Sequence, residues 1–182
     1  MSTPTDIVIV ELTWYEIRCA ALVGLERRVR AMERGQQDCN LQTDSNRWTD
    51  HIEGACAEMA VAKYLGRYWS ASIDTYRTGG DVGAYQVRSS PTIADLKIHD
   101  RDKDQDIFIK VFGRVPNFRL FGWIVASNGK EPRWYHDRNN GGPNAFWVPP
   151  ECLNPMRDLP NLNCVSNGKK KGWDDRPSPV AT

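Results

Sequence analysis

Apolar residues recur at helical spacing in the first third of the chain and then switch to the alternation of strands. Thr13-Trp-Tyr-Glu16 is a capping box, in which the Thr oxygen and the Glu carboxylate satisfy exposed amides of a first helical turn. It predicts a helix over residues 13–34 that stops at Gly35, with Ile17, Ala20, Ala21, Gly24 and Leu25 as its apolar stripe. Residues 36–49 are polar and read as a loop. A second helix is expected from about Asp50, with Glu53 completing another capping box, to Gly66. Beyond it, Trp69–Tyr76, Ala84–Ser90, Leu96–His99, Ile107–Phe112, Phe118–Ile124 and Ala145–Val148 read as strands. Asp100–Asp106 is expected to join two of them as a hairpin loop. The order helix, helix, then closely spaced strands is an α+β layout, with helices packed on a mixed or antiparallel sheet of four to five strands.

Composition narrows this only a little. The 182 residues fit a single domain, expected over 1–160 with its core in 50–153, and a basic, Pro-containing tail over 161–182. Lys and Arg number 24 against 23 Asp and Glu, a net charge of +1, so any nucleic-acid contact must come from a local patch. No uncharged stretch approaches the roughly 20 apolar residues of a spanning helix, and the N-terminus lacks the basic start of a signal peptide. Cys19, Cys39, Cys56, Cys152 and Cys164 are widely spaced and odd in number, the pattern of free thiols in a reducing cytoplasm.

The chemistry concentrates in two places. On the second helix, Glu58 is surrounded by Gly54, Ala55, Val61, Ala62 and Leu65, a small apolar face of the kind that lies on a sheet. A carboxylate buried there needs an arginine, a backbone donor or a metal ion as partner. In Gly79-Gly-Asp-Val-Gly-Ala-Tyr-Gln-Val-Arg88, Asp81 stands at a strand entrance, and Gln86 and Arg88 share one face of the strand while Val87 takes the other. If the Glu58 helix packs on the Gln86/Arg88 face, two carboxylates and an amide oxygen meet. That is a hard-ligand set suited to magnesium or manganese, with a guanidinium alongside for a phosphate.

Together these segments resemble the PD-(D/E)xK nuclease superfamily, which has the restriction-endonuclease-like fold. Glu58 takes the place of the helix carboxylate, Asp81 that of the strand-entrance Asp, and Gln86-Val-Arg88 that of Glu-x-Lys. Residues 13–153 are more closely similar to a group of uncharacterised bacteriophage proteins, through the Glu58 helix, Gly80-Asp-Val-Gly83, Gln86-Val-Arg-Ser-Ser90, Asp102-Lys-Asp104, Phe121-Gly-Trp-Ile124 and Phe146-Trp-Val-Pro149. The resemblance implies a metal-dependent deoxyribonuclease of the host cytoplasm. In it Glu58, Asp81, Gln86 and the Val87 carbonyl hold Mg2+ or Mn2+, and Arg88 stabilises the charge developing at phosphorus. Gln86 removes one negative charge from that site, and Arg88 stays protonated and cannot serve as a base. The alternative is therefore a catalytically inactive nuclease-fold module that binds nucleic acid or a host protein in an anti-defence or takeover role.

Weaker signals are read as follows. The alternating acids Asp100, Asp102, Asp104 and Asp106 lack the glycine and closing Glu of a calcium loop and read as an exposed acidic hairpin. Arg27, Arg28, Arg30 and Arg34 read as a solvated, dipole-compensating helix end, with phosphate contact as the alternative. Cys56 reads as core. His51, His99 and His136 have no metal-ligand spacing. Trp123, Trp134 and Trp147 are expected to cover the sheet, and Lys169–Lys171 to solubilise the tail.

Overall fold

The computed structural model describes residues 7–35, 44–73, 79–136 and 144–162; side chains 44–46 are outside that description. Strand β1 (Val8–Glu11) leads into helix α1 (Trp14–Glu33), and helix α2 (Asp44–Tyr64) follows. The predicted capping box forms at Thr13: its hydroxyl accepts from the Glu16 N–H, and the Glu16 carboxylate accepts from the Thr13 N–H at 2.7 Å. Lys63 near the end of α2 donates to Glu16 and to the Glu11 carbonyl, both at 2.8 Å, and so fastens the start of one helix to the end of the other. The α2 helix begins six residues before the expected Asp50.

Strands β2 (Tyr85–Ser90), β4 (Ile107–Arg114) and β5 (Asn117–Val125) join β1 in a four-stranded mixed sheet of order β1-β5-β4-β2, in which β2 and β4 run parallel and the other pairs antiparallel. A second, three-stranded sheet has the order β3 (Leu96–His99), β7 (Ala145–Val148), β6 (Tyr135–His136). The α+β class and the mixed sheet with helices on it therefore hold. Other expectations do not. Asp100–Asp106 joins strands of different sheets, so it is a crossover and not a hairpin. Residues 69–73 form no strand, and Ala71 has φ 50°, which an extended strand cannot take; residues 74–76 lie outside the described residues. Strands β1 and β6 were absent from the pattern-based reading.

The core has two compartments, one on each face of the mixed sheet. Along β4, Ile107, Ile109 and Val111 point toward α2 and meet Ala55, Val61 and Ala62, together with Tyr85, Val87, Phe118 and Leu120. Phe108 and Phe112 point the other way, into a cluster with Leu96, Ile98, Phe121, Ile124, Trp134 and Val148 of the second-sheet side. A central strand covered on both faces needs the near-continuous apolar run seen here. Lys110 is its one charged residue in the buried stretch.

Helix α1 forms an outer layer on α2 and closes onto it at Gly24. A Cβ at Gly24 would lie 2.6 Å from both the His51 carbonyl oxygen and the Ile52 Cα, so only glycine allows the crossing. We predict that Gly24→Ala lowers stability by about 1–3 kcal/mol, the usual range for overpacking. Urea unfolding measures this, and an unchanged midpoint would show that the helices are not in contact there.

Candidate functional site

Burial alone would drive Glu58 to protonate, yet its surroundings are built for a carboxylate. The residue is buried on α2, only 7 % exposed. Arg27, from α1, donates to it through both terminal nitrogens, Nη1 to Oε1 at 2.6 Å and Nη2 to Oε2 at 2.8 Å. The Trp69 indole N–H donates to Oε2 at 3.1 Å. Arg27 also donates to the Ser72 carbonyl from Nε and Nη2, at 3.2 and 2.8 Å. One guanidinium thus ties α1, α2 and the segment after α2 through paired, charge-assisted hydrogen bonds. Burial raises the Glu58 carboxyl above its usual range; Arg27 and Trp69 oppose this, and the negative charge of Asp81 adds to the rise.

Asp81 stands in the turn before β2. Gly80 N–H donates to Gly83 O, and Val82 and Tyr85 exchange backbone bonds, so the chain doubles back tightly before the strand starts. A Cβ at Gly80 would fall 2.6 Å from the Tyr85 carbonyl oxygen, which accounts for the glycine. The Asp81 carboxylate accepts from the Val87 N–H at 2.7 Å, on the outer edge of the sheet's edge strand. The bond from the Val87 N–H fixes the Asp81 carboxylate at that edge.

Gln86 and Arg88 do not join them. Tyr85 and Val87 belong to the compartment under α2, so alternation turns Gln86 and Arg88 to the opposite face. There the Arg88 guanidinium lies 4.7 Å from the Phe108 ring centroid, and Phe108 belongs to the compartment between the sheets. The expectation that α2 packs on the Gln86/Arg88 face is thus corrected: it packs on the Val87 face. The Gln86 amide, on the other face of the sheet, cannot share an ion with Glu58. With both Glu58 oxygens held by Arg27 and Trp69, the donor set does not fit a shared Mg2+ or Mn2+. Among the described residues no group of three or more His, Cys, Asp or Glu is arranged to hold a metal ion.

The Arg88 face carries a second polar cluster, which the sequence reading missed. Lys110 stands beside Arg88 in the parallel register of β2 and β4 and is 3 % exposed. Its ammonium lies 5.0 Å from the Phe112 ring centroid, and among the described residues it has no hydrogen bond or ion pair. Burial pushes it down to about 8 from the usual 10.5; Arg88 adds to this and Asp95 opposes it. The β4–β5 register also shifts between Lys110 and Val111. Nearby, Arg88 Nη2 is 3.5 Å from Asp102 Oδ2, an oxygen that also accepts from the His99 N–H at 2.9 Å. Burial lowers the His99 pKa, Lys97, Arg101 and Arg88 lower it further, and Asp102 opposes them. The one available signal was a lysine interrupting an otherwise apolar strand.

Other candidates resolve into structure. Lys130 fills the acidic crossover: its ammonium donates to the carbonyls of Asp100 and Asp102 at 3.1 and 2.5 Å and to Asp104 Oδ1 at 2.7 Å. An internal cation therefore occupies the oxygen cage that suggested calcium. Arg27 and Arg28 are not a solvated face, because Arg27 holds Glu58 and Arg28 is 4 % exposed with Trp48 at 6.0 Å. Cys56 is core, its thiol pushed up to about 12 by burial and by Glu53. Trp123 donates its indole N–H to the Pro155 carbonyl, Trp134 packs between the sheets, and Trp147 lies under Lys97 at 5.3 Å. Cys39, Cys164 and Lys169–Lys171 lie outside the described residues. No family model, curated protein or solved structure matches the chain.

Removing one partner of the buried pair, as in Arg27→Met, strands the Glu58 carboxylate and should cost about 3–5 kcal/mol, whereas Arg27→Met with Glu58→Leu should recover most of it. Equal losses in the single and double variants, measured by denaturant unfolding, would contradict the pairing. For Lys110, the unfolded chain keeps its proton to about 10.5 and the folded chain releases it near 8. Stability from this residue is therefore lowest below pH 8 and rises with pH across that window, by about 3 kcal/mol in total. Lys110→Met should be more stable than wild type at neutral pH, with the difference shrinking as pH rises toward 10. A constant difference would refute the shift.

Proposed function

We propose that the chain is a nucleic-acid-binding module of nuclease-like layout, which holds a phosphate backbone on the side where Arg88, His99, Arg101 and Lys110 lie, and in which Glu58 is a structural carboxylate. The observation that carries this reading is Lys110: a buried ammonium beside a guanidinium, with no carboxylate in ion-pair contact among the described residues. Such a pair is costly without an anion and favourable with one. The surroundings agree in sign. Three cations act on His99 against one carboxylate. Arg88 would supply the planar fork that matches two phosphate oxygens, and Lys110 a charge behind it. Lys97 over Trp147 adds a cation beside an aromatic plane, the combination that accepts stacked bases.

The test is fluorescence anisotropy with labelled single-stranded DNA, duplex DNA and RNA, in EDTA and across a salt series. At least one of the three should bind without divalent cation. Arg88→Gln should weaken binding and lower the log–log salt slope by roughly one, the mark of one lost phosphate contact. Absence of binding to all three, or an unchanged slope, overturns the reading.

One observation favours a second reading, a metal-dependent phosphodiesterase acting on DNA through Glu58 and Asp81. What favours it is that the negative charge of Asp81 adds to the rise of the Glu58 carboxyl. Arg27 would then have to give way to Mg2+ or Mn2+. Nicking of plasmid DNA that needs either metal and disappears in Asp81→Ala would establish this reading in place of the first.

A further inference from the structure

Helix α1 packs on α2 through Ala20, Gly24, Arg28 and Ala31, and its far side faces solvent. There Trp14, Tyr15, Leu22, Leu25 and Met32 are 73, 76, 65, 43 and 45 % exposed. Leu25, expected in the inward stripe, points outward. Large apolar side chains on a surface helix need a reason when they are contiguous, and these are. Tyr15, Leu22 and Val29 recur at every seventh position, with Arg18, Leu25 and Met32 interleaved three residues later. This is the a/d spacing of a coiled-coil seam, running the length of the helix. The five exposed side chains present on the order of 500 Å2 of apolar surface, at the upper end of what a monomer shows.

We infer that this seam is a self-association surface, on which a second copy of the chain lays its own α1 antiparallel about a two-fold axis passing between Leu22 and Leu25. The charges choose the occupant and the direction. Arg18 is the one charged residue in the seam. In a parallel pair it would meet Arg18 of the second copy. In the antiparallel pair it comes level with Val29 of the second copy, within about one helical turn of Glu26 and Glu33 there. Glu33 is exposed, and the Glu26–Arg30 ion pair is half-exposed at 2.7 Å, so both carboxylates are open to it. The same arrangement sets Leu22 on Leu25 and Tyr15 on Met32, twice each, as the two-fold symmetry requires. Every layer of the seam is then apolar or charge-complementary. The contact is smaller than the usual 800 Å2 or so per partner of a tight complex, so a micromolar dimer is expected.

Sedimentation velocity on the full chain, from low micromolar to submillimolar concentration, tests this. Wild type should pass from monomer to dimer. Leu22→Glu should remain monomeric with an unchanged far-ultraviolet circular dichroism spectrum. Arg18→Glu, at an exposed position that does not threaten folding, should weaken the dimer about tenfold, and adding Glu33→Arg should restore it. A wild type that stays monomeric throughout overturns the inference, as does a dimer indifferent to Leu22→Glu or to Arg18→Glu.

Discussion

The bidentate contact between Arg27 and Glu58 governs the architecture on the helical side of the molecule. Neither group is tolerable alone at that depth, and each satisfies the other only if α1 crosses α2 where Gly24 lets the backbones touch. Trp69 and the Ser72 carbonyl complete the bonding, so the chain leaving α2 is fixed as well. Its net worth against a packed apolar alternative is small. Its worth against any half-removed version is large. That asymmetry makes it a constraint on geometry more than a source of stability.

The contact also decides what the carboxylate can do. A metal ligand must offer a lone pair in the direction of the ion. Here the two oxygens are turned toward a guanidinium and an indole, while the amide expected to share the ion and the guanidinium expected beside it are on the far side of a β-sheet. The chemistry left with unmet electrostatic demand is cationic. Lys110 interrupts the compartment between the sheets, and Arg88 reaches out beside it over Phe108.

Much of the layout could be read from local pattern. The Thr13–Glu16 box set the start of α1, and the alternating runs at Leu96–His99 and Ala145–Val148 coincide with strands β3 and β7. The inference that Glu58 needs a partner was sound, because burial cost depends only on the apolar face around it. What failed were the specific pairings of distant segments. Period-two alternation says that Gln86 and Arg88 share a face but not which face meets the helix, since β2 is apolar at Tyr85 and Val87 and the α2 stripe fits there instead. The partner of Glu58 is 31 positions away on another helix. It was hidden among four arginines that suit a helix C-terminus equally well. Likewise, the acidic run was read as an exposed hairpin, but it is a crossover whose cation, Lys130, comes from beyond β5. The short β1 strand was missed because four residues at an edge carry too little pattern to stand out.

The central claim is that Arg27, and not a metal ion, is the partner of the Glu58 carboxylate. Crystals soaked in manganese and measured for its anomalous signal address it most directly. The account predicts Arg27 nitrogens at hydrogen-bond distance from both Glu58 oxygens and no anomalous peak between Glu58 and Asp81. A manganese ion within about 2.0–2.6 Å of oxygens from both residues, with Arg27 swung away, would contradict it.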